Sequence, residues 1–452
     1  MRFIHWALLL SLATVTGFAE PLSLIQAVER ATARYPSVRV SQEQVAAAAA
    51  GIQLARTSYL PQANFLSQVN RATRNNVYGM LLPQATLPSI SGPPLQENKL
   101  TNVWGTAVGF LVSWEPFDFG LRKAQVQTAE TAQRRAQAGV ERTKLDVATA
   151  AADAYLTILA AQQTARSAQA SIARGRQLET AVGALVKAEL RPGVDAERTR
   201  AEIALAQTQL IQAEQAVAVA KATLAEITGM KASEIEVQPG PLLSLPAEVL
   251  PDVTPASHPA VKEQQLAIEE SKARQFELAR TWYPKFLLQG STYARGTGAY
   301  PDFTTGGAAS GLAPNIHNWG VGFTMTFPLL EQPSLRARKE IEVHRERSET
   351  AKLDQINQEL NGRLERAKAI LEGARAAARQ APIQMEAAKA VETQATARYK
   401  AGLATIVEVA EAQRLLAVAE IDQSLAQLNI WRALLATAVA AGDLTPFLEK
   451  VR

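Results

Sequence analysis

The sequence predicts a mainly α-helical fold with a smaller β component, built from two copies of one arrangement. Three observations predict it: landmarks recur 213 positions later, long stretches are rich in helix formers, and short segments alternate apolar and polar residues. The matching landmarks are Val108-Gly109-Phe110 and Val321-Gly322-Phe323, Lys187-Ala188 and Lys400-Ala401, and Gly229 and Gly442. Because the offset stays constant over about 120 residues, the intervening elements must be rigid and of matched length.

The first 19 residues have the pattern of a secretory signal peptide. Arg2 precedes an apolar run over 3–15, and the small residues Gly17 and Ala19 precede Glu20. We expect cleavage after Ala19. A membrane anchor is the alternative, although the run is shorter than the roughly 20 residues that a spanning helix needs. No later stretch has that length of unbroken apolar sequence, so a membrane would have to be crossed as a barrel.

Composition and spacing argue against several classes of function. The chain has no cysteine, which excludes disulfides, thiolate metal sites and cysteine catalysis. Its 47 basic and 43 acidic residues are dispersed rather than clustered as in a nucleic-acid-binding face. His258, His317 and His344 show no metal-ligand spacing, and Arg295-Gly296-Thr297-Gly298 lacks the third glycine of a dinucleotide loop. We therefore predict no enzyme activity, cofactor, metal site or nucleic-acid partner.

Composition predicts two very long helices. The stretch from about 121 to 189 has no proline and almost no glycine, and one helix of that length would extend for about 100 Å. Its counterpart runs from about 334 to 400, where Pro382 predicts a kink. Each meets a turn signal, Arg191-Pro192-Gly193 or Ala401-Gly402, and returns as a shorter helix over about 194–228 or 405–441. Helices this long must pack side by side as coiled coils.

Four strands are predicted between the helices, at about 62–73, 104–116, 285–295 and 318–327. In the last strand, Trp319, Val321 and Phe323 alternate with small or polar residues, which gives one apolar and one polar face. The aromatic residues that lie at strand ends are Trp104, Trp114, Trp282, Trp319 and Phe327. Trp104 and Trp114 would be separated by roughly 24 Å of height in a tilted strand, as in the aromatic girdles of outer-membrane barrels. A sheet in water is the alternative.

Four strands cannot close a barrel, because they leave two unpaired edges and too narrow a ring. Several chains must contribute, and three copies would supply twelve strands and a water-filled interior. The predicted fold class is therefore mixed but mainly α: a long α-helical coiled-coil barrel plus a transmembrane β-barrel with four strands per protomer. The predicted segments are a signal peptide (1–19), a first repeat (20–229), a linker (230–257), a second repeat (258–442) and a C-terminal tail (443–452).

These features resemble the TolC-type outer membrane efflux proteins, the outer membrane factors. The residues that carry the resemblance are Trp114-Glu115-Pro116-Phe117-Asp118-Phe119-Gly120, Ala397-Arg398-Tyr399-Lys400-Ala401-Gly402 and Ile406-Val407-Glu408-Val409. The resemblance implies a homotrimer in the outer membrane of a Gram-negative bacterium, with a long periplasmic extension. It further implies a passive exit duct of a tripartite efflux or type I secretion system, with a periplasmic adaptor protein and an ion-driven or ATP-driven inner-membrane pump as partners. An exported, non-conducting coiled-coil scaffold is the alternative.

The resemblance also implies roles for residues near the two helical turns. Glu408 and Glu411 would line a periplasmic constriction as two rings of three carboxylates, which concentrate cations. Asp195 and Tyr399 would form the latch of a closed tip. The family's latch arginine is replaced by Ala404, which leaves Arg191 and Arg198 as candidates for its role. The residues expected to dock the adaptor are Leu190, Arg191, Gly193, Gly402 and Leu403. The substrate stays open among drugs, metal ions and polypeptides.

Overall fold

The computed structural model describes residues 21–73, 101–246, 257–300, 302 and 304–452. The predicted signal peptide, most of the first loop between strands and part of the linker lie outside the described residues. The helices are α1 (Leu24–Arg34), α2 (Pro36–Thr57), α3 (Leu121–Lys187), α4 (Gly193–Thr228), α5 (Pro259–Arg280), α6 (Gln332–Lys400), α7 (Ile406–Ala441) and α8 (Thr445–Val451). The strands are β1 (Gln62–Thr73), β2 (Asn102–Phe117), β3 (Lys285–Thr297) and β4 (Ile316–Thr326). The mainly helical fold with a small sheet is confirmed.

The chain divides into two compact units. The first, the helical unit, consists of the described residues within Met1–Val45, Arg135–Gln265 and Thr350–Arg452. The second, the sheet unit, consists of the described residues within Ala46–Arg134 and Leu266–Glu349. Among the described residues, no helix combines the length and the apolarity needed to cross a membrane.

The core of the helical unit lies between α3 and α7. Tyr155 and Leu156 on α3 and Trp431 on α7 are almost completely buried, and Phe447 of α8 packs edge-on against Trp431. This helix α8 lies within the segment predicted as a tail. The Tyr155 hydroxyl lies within hydrogen-bonding distance of two main-chain oxygens, those of Leu22 and Gln238, which share its single hydrogen. The Trp431 indole donates to the main-chain oxygen of Ser244, in the linker, at a distance of 2.9 Å. These bonds hold the linker against the helices.

The sheet is antiparallel in the order β1-β2-β3-β4, so β1 and β4 are its edges. Register places Phe65 opposite Phe110, Phe110 opposite Thr292, and Thr292 opposite Trp319, on one face of the sheet. The exposed apolar residues of this face are Phe65, Val69, Phe110, Val112, Trp114, Leu288, Trp319, Val321, Phe323 and Met325. The opposite face is richer in polar residues and glycine, including Gln62, Asn64, Ser113, Gln289, Ser291, Gly320, Gly322 and Thr324.

A sharp turn joins β2 to α3. Phe119 and Gly120 both have positive φ angles, of 52° and 85°, a backbone conformation that is uncommon for any residue other than glycine. Asp118 holds the turn, because its carboxylate accepts hydrogen bonds from the main-chain N–H groups of Gly120 and Arg122. The Phe119 ring stacks on Tyr283 at a centroid distance of 5.0 Å. The segment from Trp114 to Gly120 is therefore a strand end followed by a helix cap.

Candidate functional site

The turns after α3 and α6, here called the paired turns, have the same backbone geometry. The two turns make equivalent main-chain N–H to C=O hydrogen bonds. In the first turn they are Ala188 to Ala184, Glu189 to Val186 and Leu190 to Leu185, and in the second Ala401 to Ala397, Gly402 to Tyr399 and Leu403 to Arg398. Both are Schellman-type helix ends, in which one residue has a left-handed conformation. That residue is Glu189 (φ 58°) in the first turn and Gly402 (φ 80°) in the second. The duplication therefore extends to the backbone of the turns.

Tyr399 and Asp195 join the two turns. The Tyr399 hydroxyl donates a hydrogen bond of 2.9 Å to Oδ2 of Asp195, and the two residues are only 1% and 8% exposed. Burial, together with this hydrogen bond, raises the pKa of Tyr399 to about 12. At neutral pH the hydroxyl is therefore a protonated donor. The surrounding apolar cluster consists of Leu178, Val182, Ala404, Ile406 and Val409.

Arg191 makes a second connection between the paired turns. Its Nη2 donates to the main-chain oxygens of Tyr399 (2.9 Å) and Ala404 (3.2 Å), and its guanidinium carbon lies 4.5 Å from the centroid of the Tyr399 ring. The Arg191 guanidinium therefore makes both a cation–π contact with the Tyr399 ring and charge-assisted hydrogen bonds to two main-chain oxygens. Arg198, the other candidate, is exposed on α4.

Glu408 caps the start of α7. Its carboxylate accepts hydrogen bonds from the main-chain N–H (3.0 Å) and the hydroxyl (3.2 Å) of Thr405, whose hydroxyl accepts from the Glu408 N–H. The main-chain hydrogen bond lowers the pKa of this exposed glutamate. The side chain thus has a structural role as a helix cap and carries a negative charge at neutral pH.

Glu411 is paired with Arg414, one turn further along α7. The two side chains make a bidentate ion pair, with distances of 2.8 Å from Nη2 to Oε1 and 3.1 Å from Nε to Oε2. Hydrogen bonding to Arg414 lowers the pKa of Glu411 and raises that of Arg414. Both side chains are largely exposed. Arg414 was not among the residues that the sequence singled out.

The residues predicted to dock an adaptor lie at the surface of the paired turns. Leu190 and Leu403 are 69% and 71% exposed, at equivalent positions of the two turns. Gly193 and Gly402 are exposed too, whereas Arg191 is half-buried beneath its contacts with Tyr399. The exposed leucines at both turns present apolar surface to solvent. Contiguous exposed apolar surface marks sites of interaction with other proteins.

A groove of about 480 Å³ lies beside the turns, within the helical unit. It is lined by α3, α4 and α7, with Leu178, Ile203 and Ile406 among its apolar residues and Arg198, Glu202 and Arg414 among its charged ones. Gly175 allows α3 and α4 to approach closely there, since a Cβ would lie 2.8 Å from Ile203. Arg174 ties α3 to α7 by a bidentate ion pair with Glu420, at 2.8 and 2.9 Å.

The aromatic residues predicted as a girdle all lie in the sheet unit. Trp282 contacts Phe327 edge-on at a centroid distance of 5.1 Å, and the Trp114 indole donates to the main-chain oxygen of Tyr59. Trp104 lies beneath the guanidinium of Arg71, whereas Trp319 is 81% exposed on the apolar face.

The fold and the paired turns define a class of protein with an internal duplication, in which each repeat contains two long helices and two strands of a sheet that has one exposed apolar face. The chain belongs to the outer membrane efflux protein family, whose model matches residues 27–230 and 250–443. The two matched segments correspond to the two sequence repeats, so the predicted resemblance is confirmed. This is a family of outer-membrane channels rather than of enzymes.

Solved structures show the same fold. The open state of the Neisseria gonorrhoeae MtrE outer membrane channel is 18% identical (TM-score 0.70; 93% of this chain and 89% of that chain covered). VceC, an outer membrane protein of Vibrio cholerae, is 16% identical, with a TM-score of 0.72 and with 93% of this chain and 96% of that chain covered. The Campylobacter jejuni CmeC outer membrane channel is 13% identical, with a TM-score of 0.73 and with 93% of this chain and 85% of that chain covered. No curated protein sequence matches the chain.

Proposed function

We propose that this chain is the passive exit duct of a tripartite efflux or type I secretion system in the outer membrane of a Gram-negative bacterium. It acts as a homotrimer and is opened at its paired turns by a periplasmic adaptor and an inner-membrane pump. The observation that carries the proposal is the exposed apolar face of the sheet. Membership of the outer membrane efflux protein family supports it.

The apolar face is costly to leave in water. Trp319, Val321 and Phe323 are between 65% and 81% exposed, and they continue a stripe that crosses all four strands. A contiguous apolar surface of this kind marks contact with a membrane or a partner. The side chains of the opposite face suit contact with water, which is the division found in outer-membrane barrels.

The two sheet edges explain why more than one copy is needed. Within the part of the chain that the structure describes, the outer edges of β1 and β4 have no neighbouring strand in the sheet. Unpaired main-chain groups are not tolerated in hydrocarbon. In the proposed trimer, β4 of one copy pairs with β1 of the next, and twelve strands close a barrel. The aromatic residues at the strand ends then lie at the membrane interfaces.

The paired turns are the proposed gate. Two sets of contacts link the two turns of one protomer: the hydrogen bond between Tyr399 and Asp195, and the hydrogen bonds of Arg191. These contacts must break before the two turns can move independently. Arg191 takes the place of the latch arginine. The exposed Leu190 and Leu403 are the proposed contacts of the adaptor, which supplies the energy for opening. Glu408 and Glu411 are the proposed lining of the constriction.

Membrane fractionation and single-channel recording test the proposal together. We expect the full-length protein to co-fractionate with outer membranes, to need detergent for extraction and to have the mass of a trimer by native mass spectrometry. In planar bilayers it should give stepwise ionic conductance. A protein that is released without detergent as a monomer and gives no conductance would contradict the proposal and favour the non-conducting scaffold.

A further inference from the structure

The charge arrangement at the start of α7 differs from two bare carboxylates. The Glu411 carboxylate accepts two hydrogen bonds from the Arg414 guanidinium, from Nη2 at 2.8 Å and from Nε at 3.1 Å. A guanidinium keeps its charge at any physiological pH, so the pair has no net charge. Glu202 lines the same groove as Arg414, and its negative charge makes a smaller contribution that also favours the charged form of Arg414.

Glu408 is in a different position. Its partners are the N–H and the hydroxyl of Thr405, which are neutral donors, and the positive charge of Arg398 has a smaller influence on it. Among the described residues, it makes no ion pair within 4.0 Å. Its negative charge is therefore stabilised by hydrogen bonds without being cancelled.

We propose that Arg414 determines the ionic selectivity of the constriction by cancelling the charge of Glu411, so that only one of the two constriction glutamates, Glu408, adds net negative charge to the pore. This inference rests on the proposed function. The two glutamates then contribute one uncompensated negative charge per protomer to the trimeric constriction instead of two. Such a pore favours cations only weakly and admits anionic solutes that two bare carboxylate rings would repel.

The exposure of the pair makes the idea testable without unfolding the protein. Exposed ion pairs contribute little to stability, so that removing one partner changes the local charge more than the fold. The two groups are also much closer to each other than the Debye length of about 8 Å at physiological salt. A passing ion therefore experiences their sum.

The test measures reversal potentials of the full-length trimer in planar bilayers under a potassium chloride gradient. We expect R414Q to raise the ratio of potassium to chloride permeability by roughly three-fold, from three uncovered carboxylates acting over about 10 Å of water. E411Q should lower that ratio by a similar factor, because it leaves Arg414 uncovered. The double variant E411Q/R414Q should remain close to wild type.

A matched control separates a local effect from a general loss of positive charge. Lys144 on α3 forms an exposed ion pair with Glu141 at the same three-residue spacing, well before the turn. K144Q should leave the permeability ratio unchanged. Each variant is first checked for trimer formation on gels.

Two outcomes would overturn the inference, and they are distinguishable. If R414Q has the wild-type ratio and the double variant behaves as E411Q does, Glu411 acts as an unpaired charge and Arg414 has no role in selectivity. If the wild-type protein forms no conducting pore at all, the proposed function fails, and the role of Arg414 fails with it.

Discussion

Glu189 occupies a backbone position that its counterpart in the second repeat fills with glycine. With φ at 58°, the glutamate adopts a left-handed conformation that a side chain disfavours, whereas Gly402 adopts it freely. We expect E189G to raise the free energy of unfolding by about 1 kcal/mol and G402A to lower it by a similar amount. Thermal melting of the purified protein, followed by far-ultraviolet circular dichroism, measures both.

The control for this prediction is G183A. Gly183 lies inside α3 with an ordinary helical φ and open space around it, so alanine should stabilise the helix there. If E189G lowered the melting temperature while G183A raised it, the strain assigned to Glu189 would be absent.

The Tyr399 hydroxyl is the second residue-scale target. We expect Y399F to lower the free energy of unfolding by about 1.5–3 kcal/mol, since it leaves the buried Asp195 carboxylate without its donor. In the proposed channel, it should also increase the fraction of time spent in the larger conductance states. Unchanged gating with reduced stability would make the contact structural and would remove it from the latch.

The same contact predicts a pH dependence with a definite sign. Folding raises the pKa of Tyr399 from 10.0 to about 12, so the protonated hydroxyl stabilises the fold at and below pH 10. This contribution is lost as the pH rises from about 10 to 12. Melting temperatures over that range should fall more steeply for wild type than for Y399F, and equal slopes would contradict the assignment.

Sequence reasoning reached some of these residues but not all. The resemblance paired Asp195 with Tyr399, and the structure places them in contact, although the gating role remains a prediction. The pairing of Glu411 with Arg414 could have been inferred from their three-residue spacing on a helix. The contacts of Arg191 could not, because its acceptors are main-chain oxygens, which no pattern of side chains reveals.

At the scale of elements, α6 continues without interruption through Pro382. Proline has no N–H for the carbonyl four residues earlier, which here belongs to the largely buried Ala378. We expect P382A to raise the free energy of unfolding by about 1–3 kcal/mol. Chemical denaturation measures the change, and hydrogen exchange over 378–388 locates it.

Pro333 offers the matched control. It lies in the first turn of α6, where its missing N–H would have no partner within the helix. P333A should therefore leave stability nearly unchanged. If P382A were also neutral or destabilising, the packing around Pro382 would compensate for the lost hydrogen bond.

Periodicity was informative for elements of regular pattern and silent for the shortest helix, α8. The long helices and the strands have many residues that repeat one signal, and the mainly helical fold with its small sheet is confirmed. Helix α8 has seven residues and was predicted only as part of a tail. Its stability comes from Phe447 packing on Trp431, a contact that sequence periodicity does not record.

At the scale of the whole molecule, the two faces of the sheet should respond differently to charge. Val321 is exposed on the apolar face, while Thr324 lies on the opposite face of the same strand. A lysine facing lipid near the middle of a barrel costs about 2–4 kcal/mol per copy. If the chain forms the proposed outer-membrane trimer, we expect V321K to reduce the amount of heat-resistant trimer in outer membranes strongly and T324K to reduce it little.

Quantitative blots of fractionated membranes measure this difference. Equal losses in V321K and T324K would show that the apolar face does not contact lipid, which would remove the main support for the proposed function. The number of copies is not contained in one chain, because a sheet edge specifies that a partner is needed without specifying how many close the ring.

The main-chain acceptors of Arg191 bear on how this protein tolerates genetic variation. Every amino acid has a backbone carbonyl, so replacements at positions 399 and 404 leave the hydrogen-bond acceptors in place even when they alter the side chains. Codon 191 is therefore a more sensitive target than codon 404, where the hydrogen bond uses only the main-chain oxygen. In the proposed channel, mutants selected for a leaky gate should accumulate at codon 191 rather than at codon 404.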